Sequence, residues 1–183
     1  MTMQQLHLTL DESSTMYQRA LARSKTGARG HIGTHLDCYT EKTGKDHYEL
    51  YALIMDCTNR KPDIEQFRHL PSLKDKVLVL YTGNMEHNEY ASEEYHATRL
   101  FIANEVLDEI LAHEPTFILL DSHGMGESGK IHTAMDIKCE KHGCHVIENA
   151  QLLPIKGMTE ARLSIDVDVN NPSSGKPCKI YVI

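Results

Sequence analysis

The chain has 183 residues, of which 40% are hydrophobic and 25% charged, with a formal net charge of −7. This length and composition exclude a disordered or fibrous chain, and we expect residues 1–183 to form a single domain with a sizeable apolar core. The acidic balance argues against a nucleic-acid partner, because phosphate binding needs clustered Lys and Arg.

Short apolar runs predict strands at 6–10, 50–57, 77–81 and 117–120. A helix is predicted at 98–112, where Ile102, Val106 and Ile110 recur on one face. A second helix is predicted at about 133–142, ending before Gly143, which can adopt the left-handed cap. Further strands are predicted at 144–147, 161–169 and 179–183.

The order of these elements indicates the fold class. The strand at 117–120, the following helix and the strand at 144–147 form a β-α-β unit, whose two strands should be parallel. The chain then continues with strands, so the expectation is an α/β protein with a mixed sheet and a few packed helices.

The segment 30–37, Gly-His-Ile-Gly-Thr-His-Leu-Asp, contains the densest group of chemically active side chains. On a flat strand His31 and His35 would lie about 13 Å apart. On a regular helix the two imidazoles would be neighbours, but Asp37 would point elsewhere. A bent backbone would let all three bind one metal, whereas the same residues could also be ordinary histidines near a turn.

This segment resembles the signature H-x-G-T-H-x-D of the cyclase family of metal-dependent hydrolases, which includes bacterial kynurenine formamidases and isatin hydrolases. The resemblance continues at Leu80-Tyr81-Thr82-Gly83 and at 145–149, His-Val-Ile-Glu-Asn. It implies a swivelling β/β/α-type domain that assembles into homodimers or homotetramers. It also implies one or two divalent metal ions, Zn or Mn, bound by His31, His35, Asp37 and Glu148.

The sequence departs from the family pattern at two positions. Glu41 stands where the family has a catalytic histidine, and Asp136 stands where a second histidine ligand is expected. Both carboxylates could replace the imidazoles in catalysis, and Asp136 could also bind metal. His132 lies one helical turn before Asp136 and is an alternative ligand.

The resemblance implies hydrolysis of C–N bonds through a metal-activated water, with small amides, lactams or esters as substrates. The specific form would be an arylformamidase, as in tryptophan catabolism, or a cyclic-amide hydrolase. The two lost histidines favour an alternative, a catalytically impaired protein that binds metal or a small molecule. A purely structural interaction module would leave the dense His/Asp motif and the distant Glu148 without a role.

Other features are weaker candidates. The segment 123–130 lacks the glycine spacing of a phosphate loop and is interpreted as a flexible loop at the mouth of the site. Cys38 is interpreted as an apolar filler, and His142 and His145 are left out of the site. No segment reaches the roughly 18 apolar residues that span a bilayer, and the N-terminus lacks a secretory signal, so we expect no membrane partner and a cytoplasmic location.

Overall fold

The computed structural model describes residues 3–24, 29–58, 61–127 and 129–183. Its strands, in chain order, are β1 Gln4–Gln5, β2 His35–Asp37, β3 His47–Asp56, β4 Lys76–Tyr81, β5 Phe117–Leu120, β6 His145–Glu148, β7 Glu160–Val167 and β8 Gly175–Val182. Its α-helices are α1 Thr15–Arg23, α2 Ile64–Arg68, α3 Asn84–His87, α4 Glu93–Ala97, α5 Asn104–Ala112 and α6 Lys130–Lys141. The mixed α/β class predicted from the sequence is confirmed.

The strands form one sheet in the order β1-β8-β2-β6-β5-β4-β3-β7. Strands β3, β4, β5 and β6 are parallel to one another, and the other pairs are antiparallel. β8 pairs with β2 through Gly175 to Pro177 and with β7 through Cys178 to Val182. The strand pairings from β2 to β8 therefore close into a ring.

Alternate residues of the central strands pack on opposite faces of the sheet. Val77 and Val79 of β4 belong to the core inside the ring, whereas Leu78 and Leu80 belong to the core beneath the helices. The strands are buried on both faces, which explains why they read as continuous apolar runs in the sequence. The predicted β-α-β unit is confirmed, because β5 and β6 are parallel and α6 lies between them in the chain.

Several predicted elements differ in extent from those in the structure. The helix predicted at 98–112 begins only at Asn104, because residues 98–103 form an irregular segment after α4. Leu100 and Ile102 are buried there, and the Ile102 N–H donates to the Met125 carbonyl at 3.1 Å. The apolar spacing thus reflected burial in a connecting segment as well as a helix face.

The strand predicted at 6–10 is displaced toward the N-terminus, where β1 pairs with the end of β8. Beyond β1, His7 makes an isolated bridge to Ala150, and the rest of 6–10 is irregular. α6 begins at Lys130, earlier than predicted, and Gly143 follows it with φ +72°, the left-handed conformation expected at a helix end. In the described part of the chain, no helix is both long and apolar enough to cross a membrane.

Candidate metal centre

The motif 30–37 has the bent backbone that its side chains require. A single 3₁₀ turn, Arg29–His31, leads through Gly33 into β2, which begins at His35. Gly33 has φ +75°, and a Cβ at this position would lie 2.3 Å from the Leu8 carbonyl oxygen. Only glycine fits this turn, which reverses the chain so that the His31 ring lies against His35.

The register of the sheet places the glutamate beside the motif. His35 of β2 is the antiparallel partner of Glu148, the last residue of β6. The Nε2 atom of His35 lies 3.7 Å from Oε2 of Glu148 and 3.8 Å from Oδ1 of Asp37. His31 completes the group, with Nδ1 at 3.2 Å from Oδ1 of Asp37 and 3.1 Å from Nε2 of His35.

A second group of side chains adjoins the first and shares Asp37. His132 and Asp136 are four residues apart on α6, and the Nε2 atom of His132 lies 3.3 Å from Oδ2 of Asp136. The same Nε2 atom lies 3.5 Å from Oε1 of Glu148. The imidazole fits there because residue 124 is glycine, since a Cβ on it would lie 2.3 Å from Nδ1 of His132.

These six side chains, the ligand cluster, form two groups. Within each group, the potential ligand atoms all lie within 4.8 Å of one another. Ligands that surround one ion at about 2.1 Å lie roughly 3–4 Å apart, so each group matches the spacing that a divalent ion requires. The ligand cluster comprises His31, His35 and Asp37 in the first group, and Asp37, His132, Asp136 and Glu148 in the second.

Five carboxylate oxygens of the ligand cluster are buried and have no hydrogen-bond partner among the described residues. They are both oxygens of Asp37, both of Asp136, and Oε1 of Glu148. These three side chains are only 1%, 2% and 4% exposed. Buried charges are normally paired or bound to a metal, so this donor set fits a divalent cation.

Electrostatics in the protein alone lead to the same conclusion. Burial raises the pKa of Glu148 well above its ordinary value, and the neighbouring charges of Asp37 and Asp136 raise it further. Burial and Asp37 likewise raise the pKa of Asp136 well above its usual range. Burial also tends to raise the pKa of Asp37, but the adjacent imidazoles of His31, His35 and His132 hold it below its ordinary value. A cation would stabilise all three ionised forms.

The two histidines of the motif are oriented by hydrogen bonds from their other ring nitrogens. Nδ1 of His35 donates to the Gly33 carbonyl at 3.0 Å, which leaves Nε2 as a bare acceptor facing the carboxylates. Burial lowers the pKa of His35 to about 4, so this ring is neutral at physiological pH. Nε2 of His31 contacts the Ser174 hydroxyl at 2.9 Å, and Nδ1 faces Asp37. Such partners fix the ring that binds a metal.

Asn149, next to Glu148, connects the ligand cluster to the surrounding chain. Its side-chain amide donates to the same Gly33 carbonyl at 3.0 Å, and its backbone carbonyl accepts from the Thr34 hydroxyl at 2.7 Å. The Tyr95 hydroxyl donates to Oδ1 of Asn149. This network fixes the turn from which His35 projects.

Glu41 is not among the side chains that the fold brings together. Its side chain is exposed, and its backbone N–H donates to Oε2 of Glu140 at 2.9 Å. The catalytic role of Glu41 stays a prediction without support from this geometry. Cys38 is half-buried with Sγ donating to the Glu41 carbonyl, and burial raises the pKa of its thiol, which makes it a poor nucleophile.

Helix α6 contributes two side chains to the ligand cluster. Both His132 and Asp136 belong to it, and Asp136 is only 2% exposed. The segment 123–127 is also not a loosely packed loop, because Met125 is only 1% exposed and Gly126 is buried. His145 stays outside the ligand cluster, with Nδ1 3.3 Å from the Asp37 carbonyl oxygen.

A cavity of about 240 Å³ opens above the ligand cluster. His31, His35, His132 and Glu148 line it, together with four aromatic residues that the sequence did not single out. These four, the aromatic wall, are Tyr90, Tyr95, His96 and His123. They come from distant loops and short helices, so only the three-dimensional fold brings them together.

Comparison with solved structures agrees with this architecture. A potential metal-dependent hydrolase with cyclase activity superposes with a TM-score of 0.69 and 15% identity, over 99% of this chain and 96% of that chain. A predicted metal-dependent hydrolase from Bacillus stearothermophilus gives a TM-score of 0.67 and 14% identity, over 99% and 97%. This chain has the cyclase-family fold. Isatin hydrolase A from Labrenzia aggregata, bound to benzyl benzoate, gives 0.66 and 10%, over 100% and 93%.

The fold predicted from the motif is therefore confirmed. No family model matches the sequence, and no curated protein matches it. At these identities the likeness establishes the cyclase-family fold alone, so the chemistry of this chain has to be argued from its own side chains.

Proposed function

We propose that this protein is a metal-dependent hydrolase that cleaves C–N bonds of small amide-like substrates. The observation that carries the proposal is the ligand cluster, in which five oxygens of three buried carboxylates have no hydrogen-bond partner among the described residues and lie beside three imidazoles at the base of a cavity. Solved proteins with the same fold, named as metal-dependent hydrolases and as an isatin hydrolase, give further support.

The ligand cluster has the capacity for one or two divalent ions, and we propose Zn²⁺ or Mn²⁺. His31, His35 and Asp37 would bind one ion, while His132, Asp136 and Glu148 would join Asp37 around a second. A bound divalent ion would supply a Lewis acid for a carbonyl oxygen and would lower the pKa of water. Mixed imidazole and carboxylate ligands suit both metals.

The residues of the chain itself have separable roles in this proposal. The neutral His35 ring presents Nε2 because its Nδ1–H is engaged by Gly33. Burial and the charge of Asp37 raise the pKa of Asp136 well above its usual range, so without a cation its carboxyl group holds a proton more readily than an ordinary aspartate does. A bound cation would favour the ionised form of this ligand, so metal uptake should be accompanied by proton release that diminishes as pH rises.

The cavity indicates a small substrate. Pockets for drug-sized ligands occupy roughly 300–1,000 Å³, and this one is smaller, at about 240 Å³. Aryl formamides such as N-formylkynurenine and cyclic amides such as isatin are the first compounds to assay, followed by related esters. An arylformamidase would act in tryptophan catabolism.

A second candidate function is a binding protein with the same fold and no turnover. The observation that favours it is the position of Glu41, whose exposed side chain does not reach the ligand cluster where the family pattern has a catalytic histidine. This candidate would bind metal or a small molecule, and it differs from the first in lacking hydrolysis.

The deciding experiment combines metal analysis with a substrate panel. The protein is loaded separately with Zn²⁺ and Mn²⁺, bound metal is counted by elemental mass spectrometry, and hydrolysis of formamides, lactams and esters is followed. We expect one or two ions per chain and turnover of at least one amide class. The variant Asp37→Ala should lose both metal and activity, because Asp37 belongs to both groups.

Asp46→Ala is the matched control, since Asp46 is an exposed aspartate outside the ligand cluster. Metal binding without turnover of any compound in the panel would favour the binding protein. Absence of bound metal in the wild type would contradict the hydrolase and would favour a protein that binds a small molecule without metal.

A further inference from the structure

The aromatic wall is a continuous surface of four rings. Tyr95 contacts each of the other three, with ring centroids 5.3 Å from Tyr90, 5.3 Å from His96 and 5.1 Å from His123. The two imidazoles also contact each other edge to face, with centroids 4.8 Å apart. All four residues line the cavity that contains the ligand cluster, so a molecule in this cavity would meet rings as well as metal ligands.

The hydroxyl groups of the aromatic wall have hydrogen-bond partners, whereas three of its imidazole nitrogens have none among the described residues. The tyrosine hydroxyls are satisfied, since that of Tyr90 accepts from the Gly33 N–H and that of Tyr95 donates to Asn149. Among the described residues, neither ring nitrogen of His123 has a hydrogen-bond partner, and Nε2 of His96 has none either. These nitrogens are buried, and an unsatisfied buried polar group calls for a specific explanation.

In the described part of the chain, neither imidazole forms an ion pair with a carboxylate. Burial disfavours the imidazolium form of both rings, and the charge of Arg99 acts in the same direction on both. The pKa of His96 is therefore lowered, and that of His123 is lowered to about 3. A neutral imidazole offers one N–H donor and one bare acceptor nitrogen.

We propose that His96 and His123 are the substrate-recognition residues of this cavity and that they hydrogen-bond the N–H and a carbonyl of a small, planar, uncharged amide or lactam. The rings of Tyr90 and Tyr95 provide the flat apolar surface for its aromatic part. This inference rests on the proposed function, because it concerns the same cavity, and it adds the residues that select the substrate. The cavity volume limits that substrate to one or two rings.

This assignment predicts selectivity for the N–H group. A substrate that cannot donate should leave an imidazole nitrogen unsatisfied, and loss of one such hydrogen bond corresponds to about a tenfold weaker interaction. Isatin and N-methylisatin form a suitable pair of probes, since they differ only at the donor. Wild-type protein loaded with Mn²⁺ should bind isatin about tenfold more tightly than the N-methyl compound.

The test uses variants that retain a ring and remove its nitrogens. In His123→Phe and His96→Phe, binding of both probes is measured by calorimetry, KM and kcat are measured where turnover occurs, and bound metal is counted. We expect at least one variant to lose the preference for isatin, with a raised KM and unchanged metal content. His123→Asn, which restores a donor and an acceptor, should recover part of the preference.

His113→Phe is the matched control, because His113 follows α5 and does not line the cavity. Its buried Nε2 also has no hydrogen-bond partner among the described residues, although it lies 3.6 Å from Oε1 of Glu109. It should leave the preference and KM unchanged. Equal binding of both probes by the wild type, binding of neither, or an unchanged preference in both cavity variants would overturn the assignment.

The outcomes for recognition and hydrolysis are distinguishable. Selective binding of isatin without turnover would contradict the proposed hydrolase and support the recognition pair. Turnover of isatin without discrimination against the N-methyl compound would support the hydrolase and overturn the recognition pair.

Discussion

Two buried carboxylates one turn apart on α6 have opposite environments. Glu140 accepts hydrogen bonds from the backbone N–H groups of Tyr39, Thr40 and Glu41 and from the Thr40 hydroxyl. Asp136 has no hydrogen-bond donor on either oxygen within the described residues. Both are nearly inaccessible, at 3% and 2% exposure, so burial alone does not distinguish them.

This difference distinguishes a carboxylate with a structural role, Glu140, from one that is available to bind a ligand, Asp136. Burial tends to raise the pKa of Glu140, but its hydrogen bonds prevail and lower that pKa below the ordinary value. For Asp136, burial and the charge of Asp37 act in the same direction, and the pKa is raised well above the ordinary value. A buried acid with satisfied oxygens therefore indicates structure, and one with unsatisfied oxygens indicates a binding site.

The largest effect on stability is expected for Glu140→Gln. Glutamine has one acceptor oxygen in place of two and no charge, so at least one backbone N–H of the segment 39–41 loses its acceptor and the others lose a charged partner, and we expect a loss of about 3 kcal/mol. The measurement is urea denaturation of the metal-free protein at neutral pH. Glu105→Gln, an exposed glutamate on α5, should change stability by less than about 0.5 kcal/mol.

The stabilisation by Glu140 should depend on pH. Because the folded pKa of Glu140 is lowered, its contribution is present above the unfolded pKa and is lost as pH falls through the folded pKa. Wild type and Glu140→Gln should therefore converge in acid. An equal difference at all pH values would contradict the assignment of the stabilisation to the ionised carboxylate.

Asp136→Asn should have the opposite effect on the metal-free protein. The folded pKa of Asp136 is raised, so its ionisation destabilises the folded state as pH rises above the unfolded pKa toward the folded one. Asparagine does not ionise, and we expect the variant to be about 2 kcal/mol more stable at pH 8. Urea denaturation at pH 4 and pH 8 measures the change.

Excess Mn²⁺ should reverse this order, because a ligand that binds only the folded state stabilises it more the lower its Kd, and the variant has lost a ligand atom. If wild type and Asp136→Asn have equal stability at pH 8 without metal, ionisation of Asp136 does not destabilise the folded state. The proposed difference between Asp136 and Glu140 would then be wrong.

The sequence predicted those members of the ligand cluster that lie close together in the chain. His31, His35 and Asp37 fall within seven residues, and two glycines indicated the bend that brings them together. The strands were predicted because burial on both faces produces uninterrupted apolar runs, as at Val77 to Tyr81. Glu148 was predicted from the resemblance, and the register that pairs it with His35 became visible only in the sheet.

The rest depended on contacts that sequence spacing does not encode. Counting back from Glu148 gave Asp136, but only the packing of α6 shows that His132 faces the same group. His96 on α4 and His123 in the loop after β5 are 27 positions apart in the chain, and their rings meet only in the folded structure. Glu41 was predicted by position in a motif, but its backbone N–H donates to Glu140, and its exposed side chain is not part of the ligand cluster.

A smaller effect on stability is expected for Gly124→Ala, which tests the position of His132 without replacing any metal ligand. Gly124 has φ +90°, and a Cβ there would also lie 3.1 Å from Oε1 of Glu148. Gly143 has φ +72° with nothing within 4 Å of its Cβ position. Alanine at either site should cost about 1–2 kcal/mol for the left-handed backbone.

Only Gly124→Ala should displace His132, so elemental analysis should find less bound metal in this variant than in Gly143→Ala. Equal metal content in the two variants would show that His132 contributes nothing to metal binding.

The smallest effect is expected for Tyr95→Phe, which removes the hydroxyl that donates to Asn149. The acceptor oxygen of Asn149 is then left unsatisfied, and we expect a loss of about 1 kcal/mol. Asn149 also donates to the Gly33 carbonyl that engages Nδ1 of His35, so metal affinity should fall by about tenfold. Tyr81→Phe removes a hydroxyl that donates to Glu86, away from the ligand cluster, and should leave metal affinity unchanged. Calorimetric titration with Mn²⁺ compares the two variants, and equal affinities would mean that the network around Asn149 stabilises the fold without orienting the ligands.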